Sequence, residues 1–215
     1  MRDLFFVCDV ETDANTPMQG SMLTIGCKVV ANSVPMGQSL DGEYYTVPHQ
    51  YYSRLKRCEG FGGSKDTLEW WAFICAQGGD GAKAYHEAFD YDADRYNPIV
   101  AMARFDTWVK TVCPLFGPDI NPVFVSSPAA FDFMWVRSYL EYYVGSCVFG
   151  HRALDLRSLH LGMDPKIKWS EGLNLGATFL PGTRPKLEHH ALHDAEHLAD
   201  VFVAMMNIRS KGKTK

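Results

Sequence analysis

The chain has 215 residues, 47% of them hydrophobic and 13% aromatic, which is enough apolar material for one sizeable core and excludes a disordered chain. Its formal charge is −4, from 21 basic and 25 acidic residues, so it lacks the basic excess with which proteins hold long nucleic acid by counterion release alone. Six cysteines without a close pair exclude a disulfide framework and a zinc ribbon, and fit free thiols in a reducing cytosol.

Arg2 and Asp3 precede an apolar run, Leu4 to Val10. The run is too short, and too soon interrupted by acids, for a signal peptide or a membrane span. A cytoplasmic location without a membrane partner is the expectation. The same run predicts a buried strand over residues 4–10. A turn-rich segment, Asp13 to Gly20, leads to a second strand over 22–30, and Glu43 to Val47 predicts a third. An antiparallel meander is their simplest connectivity. Asp66-Thr67 predicts the cap of a helix carrying Leu68, Trp70, Trp71, Phe73 and Ile74, and Gly78-Gly79-Asp80-Gly81 reads as a break after it. Pro98 suits the first position of a helix with Val100, Met102, Phe105, Trp108 and Val109. Pro122 opens a strand over 123–125, and Phe131 to Val144 returns to helix. Ala195, Leu198, Ala199, Phe202 and Met205 mark a C-terminal helix by their i, i+3, i+4 spacing. The succession implies a mixed sheet flanked by helices in one domain, residues 1–208, with a basic, flexible tail over 209–215.

Chemistry enters with Asp9 and Glu11. Strand side chains alternate, so the two carboxylates share a face with their Cα atoms about 6–7 Å apart, an arrangement able to hold a divalent cation. A strand end emerging into solvent explains the pair equally when it is taken alone. Asp132 lies at the start of a helix just after the 123–125 strand, and His189 to Asp194 opens the last helix. On a continuous helix His189 and Asp194 would lie about 140° apart, so they converge only if His189 belongs to the preceding loop. Asp9, Glu11, Asp132 and Asp194 together would need two divalent ions to balance their charge, and hard oxygen ligands suit magnesium or manganese. A neutral histidine beside them is a natural base for an attacking water.

Asp9-x-Glu11-Thr12, Phe131-Asp132 and His189-(four residues)-Asp194, in that order over nearly the whole chain, resemble the three motifs of the DEDDh 3′-to-5′ exonuclease family. The resemblance implies an RNase H-like fold, a mixed five-stranded sheet flanked by helices. It implies two Mg²⁺ or Mn²⁺ ions held by Asp9, Glu11, Asp132 and Asp194, with His189 deprotonating the nucleophile. The implied substrate is the 3′ end of single-stranded RNA or DNA, and the product a 5′-nucleoside monophosphate. Thr12 would lie near that end, and Trp70 and Phe131 are the candidates to contact it. Thr67-Leu68-Glu69-Trp70-Trp71 and Asp155-Leu156-Arg157-Ser158-Leu159 are similar to segments of a small bacterial and phage exoribonuclease-like subgroup, which tilts the expectation towards RNA and is compatible with a homodimer. The chain departs from many relatives at Pro128, where they carry Asn four residues before the third acid.

Plainer readings compete at several positions. His189, His193 and His197 recur every four residues and would make a zinc-binding row on a helix. Adjacent residues on a helix point about 100° apart, so one of Trp70 and Trp71 packs in the core and the other stacks a base, covers the site or joins a subunit interface, with core packing of both an equally open reading. Asp155 is a fifth acid for the site or a helix cap. Lys166, Lys168, Arg184 and Lys186 either steer a phosphate backbone or are merely solvated.

Overall fold

The computed structural model describes residues 2–33, 42–90, 94–164, 166–168 and 174–212. The apolar N-terminal run forms β1 (Arg2–Thr12), which pairs antiparallel with β2 (Met22–Asn32) and parallel with a later strand, β5 (Ile120–Ser126). Strand β2 pairs antiparallel with β3 (Tyr44–Leu55), which completes the meander. The sheet has six strands in the order β4-β3-β2-β1-β5-β6, with β4 (Arg95–Tyr96) and β6 (Ala153–Asp155) at its edges. The five-stranded expectation missed β4, whose two residues carry no readable alternation.

Helices cover both faces of the sheet. On β1 the even side chains Leu4, Phe6, Cys8 and Val10 pack with Phe105 and Val109 of α3 (Pro98–Val112) and with Trp135 and Val136 of α4 (Ala129–Tyr143). The odd side chains Phe5 and Val7 pack with Phe202 and Met205 of the last helix, α7 (Ala191–Gly212). Burial on both sides explains why β1 is apolar throughout rather than alternating. Asp9 and Glu11 continue the odd series and therefore face the α7 side. None of the described helices is long and apolar enough to cross a membrane.

Several element boundaries differ from those predicted. Strand β3 runs 12 residues where five were expected, because the residues after Val47 open with Pro48, His49 and Gln50 and most of them are only partly buried. Helix α1 (Lys65–Ala76) starts after Ser64, ahead of the predicted Asp66-Thr67 cap. The glycine-rich break is confined to Gly78. Gly79, Asp80 and Gly81 already belong to α2 (Gly79–Phe89), and a Cβ at Gly81 would stand 2.4 Å from Ile74 O, so that glycine permits two helices to meet. Between them α1 and α2 enclose Leu23, Trp71, Ala84 and Ala88. Arg209 and Ser210, assigned to a flexible tail, continue α7, and residues 213–215 lie outside the described residues. The cysteines are all free, and Cys8 and Cys27 face each other across β1 and β2 with their sulfurs 2.8 Å apart.

One contact sets where α7 begins. Gly26 of β2 stands opposite Asp9, and a Cβ there would lie 2.3 Å from the backbone of Ala191 and Leu192. The first turn of α7 thus rests backbone to backbone on the sheet, beside the first acid. Alanine is ordinarily better than glycine in a strand. Gly26→Ala is nevertheless expected to lower stability by about 1–3 kcal/mol in urea unfolding, because the added carbon has nowhere to go. An unchanged midpoint would show that the helix start yields at no cost.

Candidate active site

Strand β1 outlasts its parallel neighbour. Its pairing with β5 ends at Val7–Val125, and β5 stops at Ser126, while β1 runs on to Thr12. The resulting notch exposes backbone donors of β1, and Asp132, in the first turn of α4, fills it. The Val10 N–H donates to Asp132 Oδ1 at 3.2 Å, and the Ser126 hydroxyl donates to Oδ2. Asp132 is buried yet satisfied, and its position follows from where β5 ends.

Asp194 arrives from the other side, in the first turn of α7. His189 lies outside that helix with φ +60°, the only described non-glycine residue in the left-handed region. That conformation costs a residue with a Cβ about 1 kcal/mol or more. The Asp194 N–H donates to His190 O at 3.0 Å, which ties the first turn of the helix to the residue after His189. The turn brings one ligand atom each of Glu11, His189 and Asp194 within 4.8 Å of one another. His189 has left the helical row, so His193 and His197 remain without it and line a separate groove with Arg184 and Lys186 on the outer side of α7. His190, its neighbour, turns away from the acids and stacks on Tyr52.

The electrostatics show how close the four carboxylates are. Asp9 is held well above the usual carboxylate range, first by burial and then by Asp132, Glu11 and Asp194. Glu11 is raised in the same way by burial, Asp194 and Asp132. Burial pushes Asp132 up to about 6 against its bonds from Ser126 and Val10, and pushes Asp194 up to about 7. Such a set gains on receiving positive charge: hard oxygen donors, few internal cations and mutual repulsion suit divalent ions. Burial lowers His189 below the ordinary imidazole value, so its ring stays neutral and able to accept a proton.

A cavity of about 200 Å³ adjoins the acids, lined in part by Glu11, Thr12, Asn15, Thr67, Trp70 and Phe131. The two tryptophans divide as their helical angle requires. Trp71 is 1% exposed and donates its indole N–H to Thr12 O at 2.9 Å, whereas Trp70 is 41% exposed and meets the His189 ring edge-on, with centroids 4.9 Å apart. Thr12 is buried, and its hydroxyl donates to Ala14 O at 2.8 Å, so its polar atoms brace the strand end. Asp155 is a cap for two helices: it accepts from Ser158 N of α5 (Leu156–Met163) and from Ala129 N of α4, both at 2.7 Å. Sequence reasoning missed Asp13, a supposed turn residue, which is buried and paired with Arg57 at 2.8 Å just behind Thr12. It missed Ser126 as well, because nothing local marks the partner of a notch.

No family model matches the chain. A curated relative, the 3′-5′ DNA exonuclease Cap18 of Escherichia coli, is 30% identical over 214 residues, covering 99% of this chain and 96% of its own. Among solved structures, the zinc-bound complex of Escherichia coli ExoI with ssDNA aligns with a TM-score of 0.61 at 15% identity over 97% of this chain, which spans 41% of that one. The nuclease domain of 3′hExo, a DEDDh family member bound to rAMP, aligns with a TM-score of 0.57 at 10% identity, covering 96% of this chain and 93% of that one. These distant likenesses carry the RNase H-like fold. The end-to-end likeness to Cap18 carries more: the chain belongs to the DEDDh family of 3′-to-5′ exonucleases.

Proposed function

We propose that this protein hydrolyses the last phosphodiester at a single-stranded 3′ end and releases 5′-nucleoside monophosphates. The observation that supports this most is the gathering of four carboxylates around the turn that presents His189. Asp9, Glu11, Asp132 and Asp194 would hold two divalent cations, Mg²⁺ or Mn²⁺, which when bound supply positive charge to the phosphodiester oxygens as the bond breaks. His189 takes the proton of the attacking water, a role suited to a ring that burial keeps neutral. Trp70 and Phe131 wall the cavity in which the terminal nucleoside would lie, and an exposed indole face stacks any base without reading its edge. Thr12 contributes shape rather than hydrogen bonds, its hydroxyl and carbonyl being committed to Ala14 and Trp71.

Single-stranded DNA is the substrate placed first, since Cap18 is a DNA exonuclease. The Thr67-x-x-Trp70-Trp71 element favours RNA as a second reading. Matched 5′-labelled DNA and RNA oligomers, incubated with Mn²⁺, Mg²⁺ or chelator, test both. Ladders shortened from the 3′ end are expected with metal and none with chelator, with DNA trimmed faster. Faster RNA trimming would restore the second reading, and no trimming of either would end the proposal.

Two further outcomes follow from the geometry. His189→Ala and Asp194→Asn are each expected to lower turnover by about 10²–10⁴-fold while the circular dichroism spectrum stays that of the wild type. Wild-type rates from either would remove the assigned role. The second outcome concerns stability. A carboxyl raised in the folded state takes up protons that the unfolded chain has released, so its contribution is harmless below about pH 4 and increasingly unfavourable as pH rises towards the folded value. For Asp132, raised from 3.8 to about 6, the penalty above pH 7 is on the order of 3 kcal/mol. In chelator at pH 8, Asp132→Asn is therefore expected to melt above the wild type, and at pH 4 the two should melt together. Saturating Mn²⁺ at pH 8 should reverse the order. Equal melting at pH 8 in chelator would show that burying the Asp132 carboxylate is not a stability cost.

A further inference from the structure

His190 is not used by the reaction just proposed, yet it is the more elaborately held of the two adjacent histidines. Its ring lies between Tyr52 of β3, with centroids 4.7 Å apart and planes 21° apart, and His193 of α7, at 4.1 Å and 20°. Its Nε2 stands 4.0 Å from Glu87 Oε1, at the end of α2. Glu87 is itself fixed: Oε1 accepts the Tyr52 hydroxyl at 2.6 Å, and its backbone carbonyl accepts Arg54 Nε at 3.1 Å and Arg95 at 2.9 Å. The two-residue strand β4 thus serves to bring Arg95 under this group.

The arrangement has one mechanical effect. His189 is held in a left-handed conformation that a residue with a Cβ resists. A turn of that kind persists only where both sides of it are fixed. On one side the Asp194 N–H donates to His190 O at 3.0 Å, which fixes the turn to the start of α7. On the other, the His190 ring is held between Tyr52 of the sheet and His193 of α7. Successive side chains share a peptide, so fixing the ring of His190 against the sheet fixes the direction in which His189 leaves the chain. A base must meet its water within hydrogen-bond reach, and a misplacement near 1 Å costs rate.

We propose that Tyr52, Glu87 and His190 are positioning residues for His189. They clamp the turn from the sheet side, and what matters at position 190 is a flat ring rather than a titrating one. This rests on the exonuclease reading with His189 as base.

Steady-state kinetics of the full chain on a single-stranded oligomer with Mn²⁺ tests it, with melting temperature measured in parallel. His190→Ala is expected to lower kcat by about 10- to 100-fold with KM within about twofold, since the substrate cavity is untouched. His190→Phe, which keeps the stack and loses both ring nitrogens, is expected to return kcat to within about threefold of the wild type. Glu87→Ala, a change at a partly exposed side chain that leaves both rings in place, should lower kcat by about 3- to 10-fold with KM again unchanged, and stands in if His190→Ala does not fold. Wild-type kcat from His190→Ala, or equal loss in His190→Ala and His190→Phe, would overturn the clamp. A rise in KM without a fall in kcat would overturn it too. The wild type and His189→Ala keep the two levels apart. If the wild type trims and His189→Ala does not, while His190→Ala trims normally, the clamp alone fails. If the wild type does not trim, the exonuclease reading fails and the clamp with it.

Discussion

Four carboxylates brought into one half-buried space repel one another, and most of the molecule is arranged so that they cannot move apart. Strand β1 carries two of them and is gripped by apolar layers on both faces, which leaves it no freedom to twist Asp9 or Glu11 outward. Asp132 is tied to a backbone donor that the short β5 leaves unpaired. Asp194 is tied through its own N–H to the His190 carbonyl, at the turn before its helix. Burial raises all four acids, repulsion within the set adds to it at Asp9 and Glu11, and crowded buried charge of this kind is also what attracts divalent cations.

The same confinement separates structural from functional roles among neighbours in sequence. Trp71 is buried and supports the end of β1, while Trp70, one position earlier, faces the cavity. His189 points to the acids and His190 to the sheet. In each pair adjacent side chains diverge, so that one fixes the backbone from which the other projects. Asp13 and Arg57 do similar service behind Thr12, where the buried Asp13 carboxylate, paired with the partly exposed Arg57, secures the chain as it leaves the strand.

The parts of this design that were legible in the sequence are those with local causes. An apolar run ending in two acids marked β1, Pro98 marked the start of α3, and the i, i+3, i+4 series of Ala195 to Met205 marked α7. The spacing of His189 and Asp194 required a loop followed by a helix, and that is what the turn provides. What stayed hidden depends on distant partners. Half of β3 reads as polar because it is only partly covered, and Gly81 reads as a break because the Ile74 carbonyl that requires it lies in another helix. The two residues of β4 are too few for any pattern. Asp13, Ser126 and Glu87 find their partners 44, 6 and 35 residues away, and no motif announces them.

Strand β1 and helix α7 run in opposite senses along the same face, and each has one end at the acids. Arg2 lies nine residues before Glu11, about 30 Å along an extended strand, and α7 carries its 22 residues about 33 Å from its start at Ala191. The contacts of Phe202 with Phe5 and of Asn207 with Tyr44 show the helix returning to the end where β1 starts. Whatever is joined ahead of β1 or beyond α7, a tag or a further domain, would thus be attached on the side remote from the chemistry. It would reach the reacting strand only through a tether of its own.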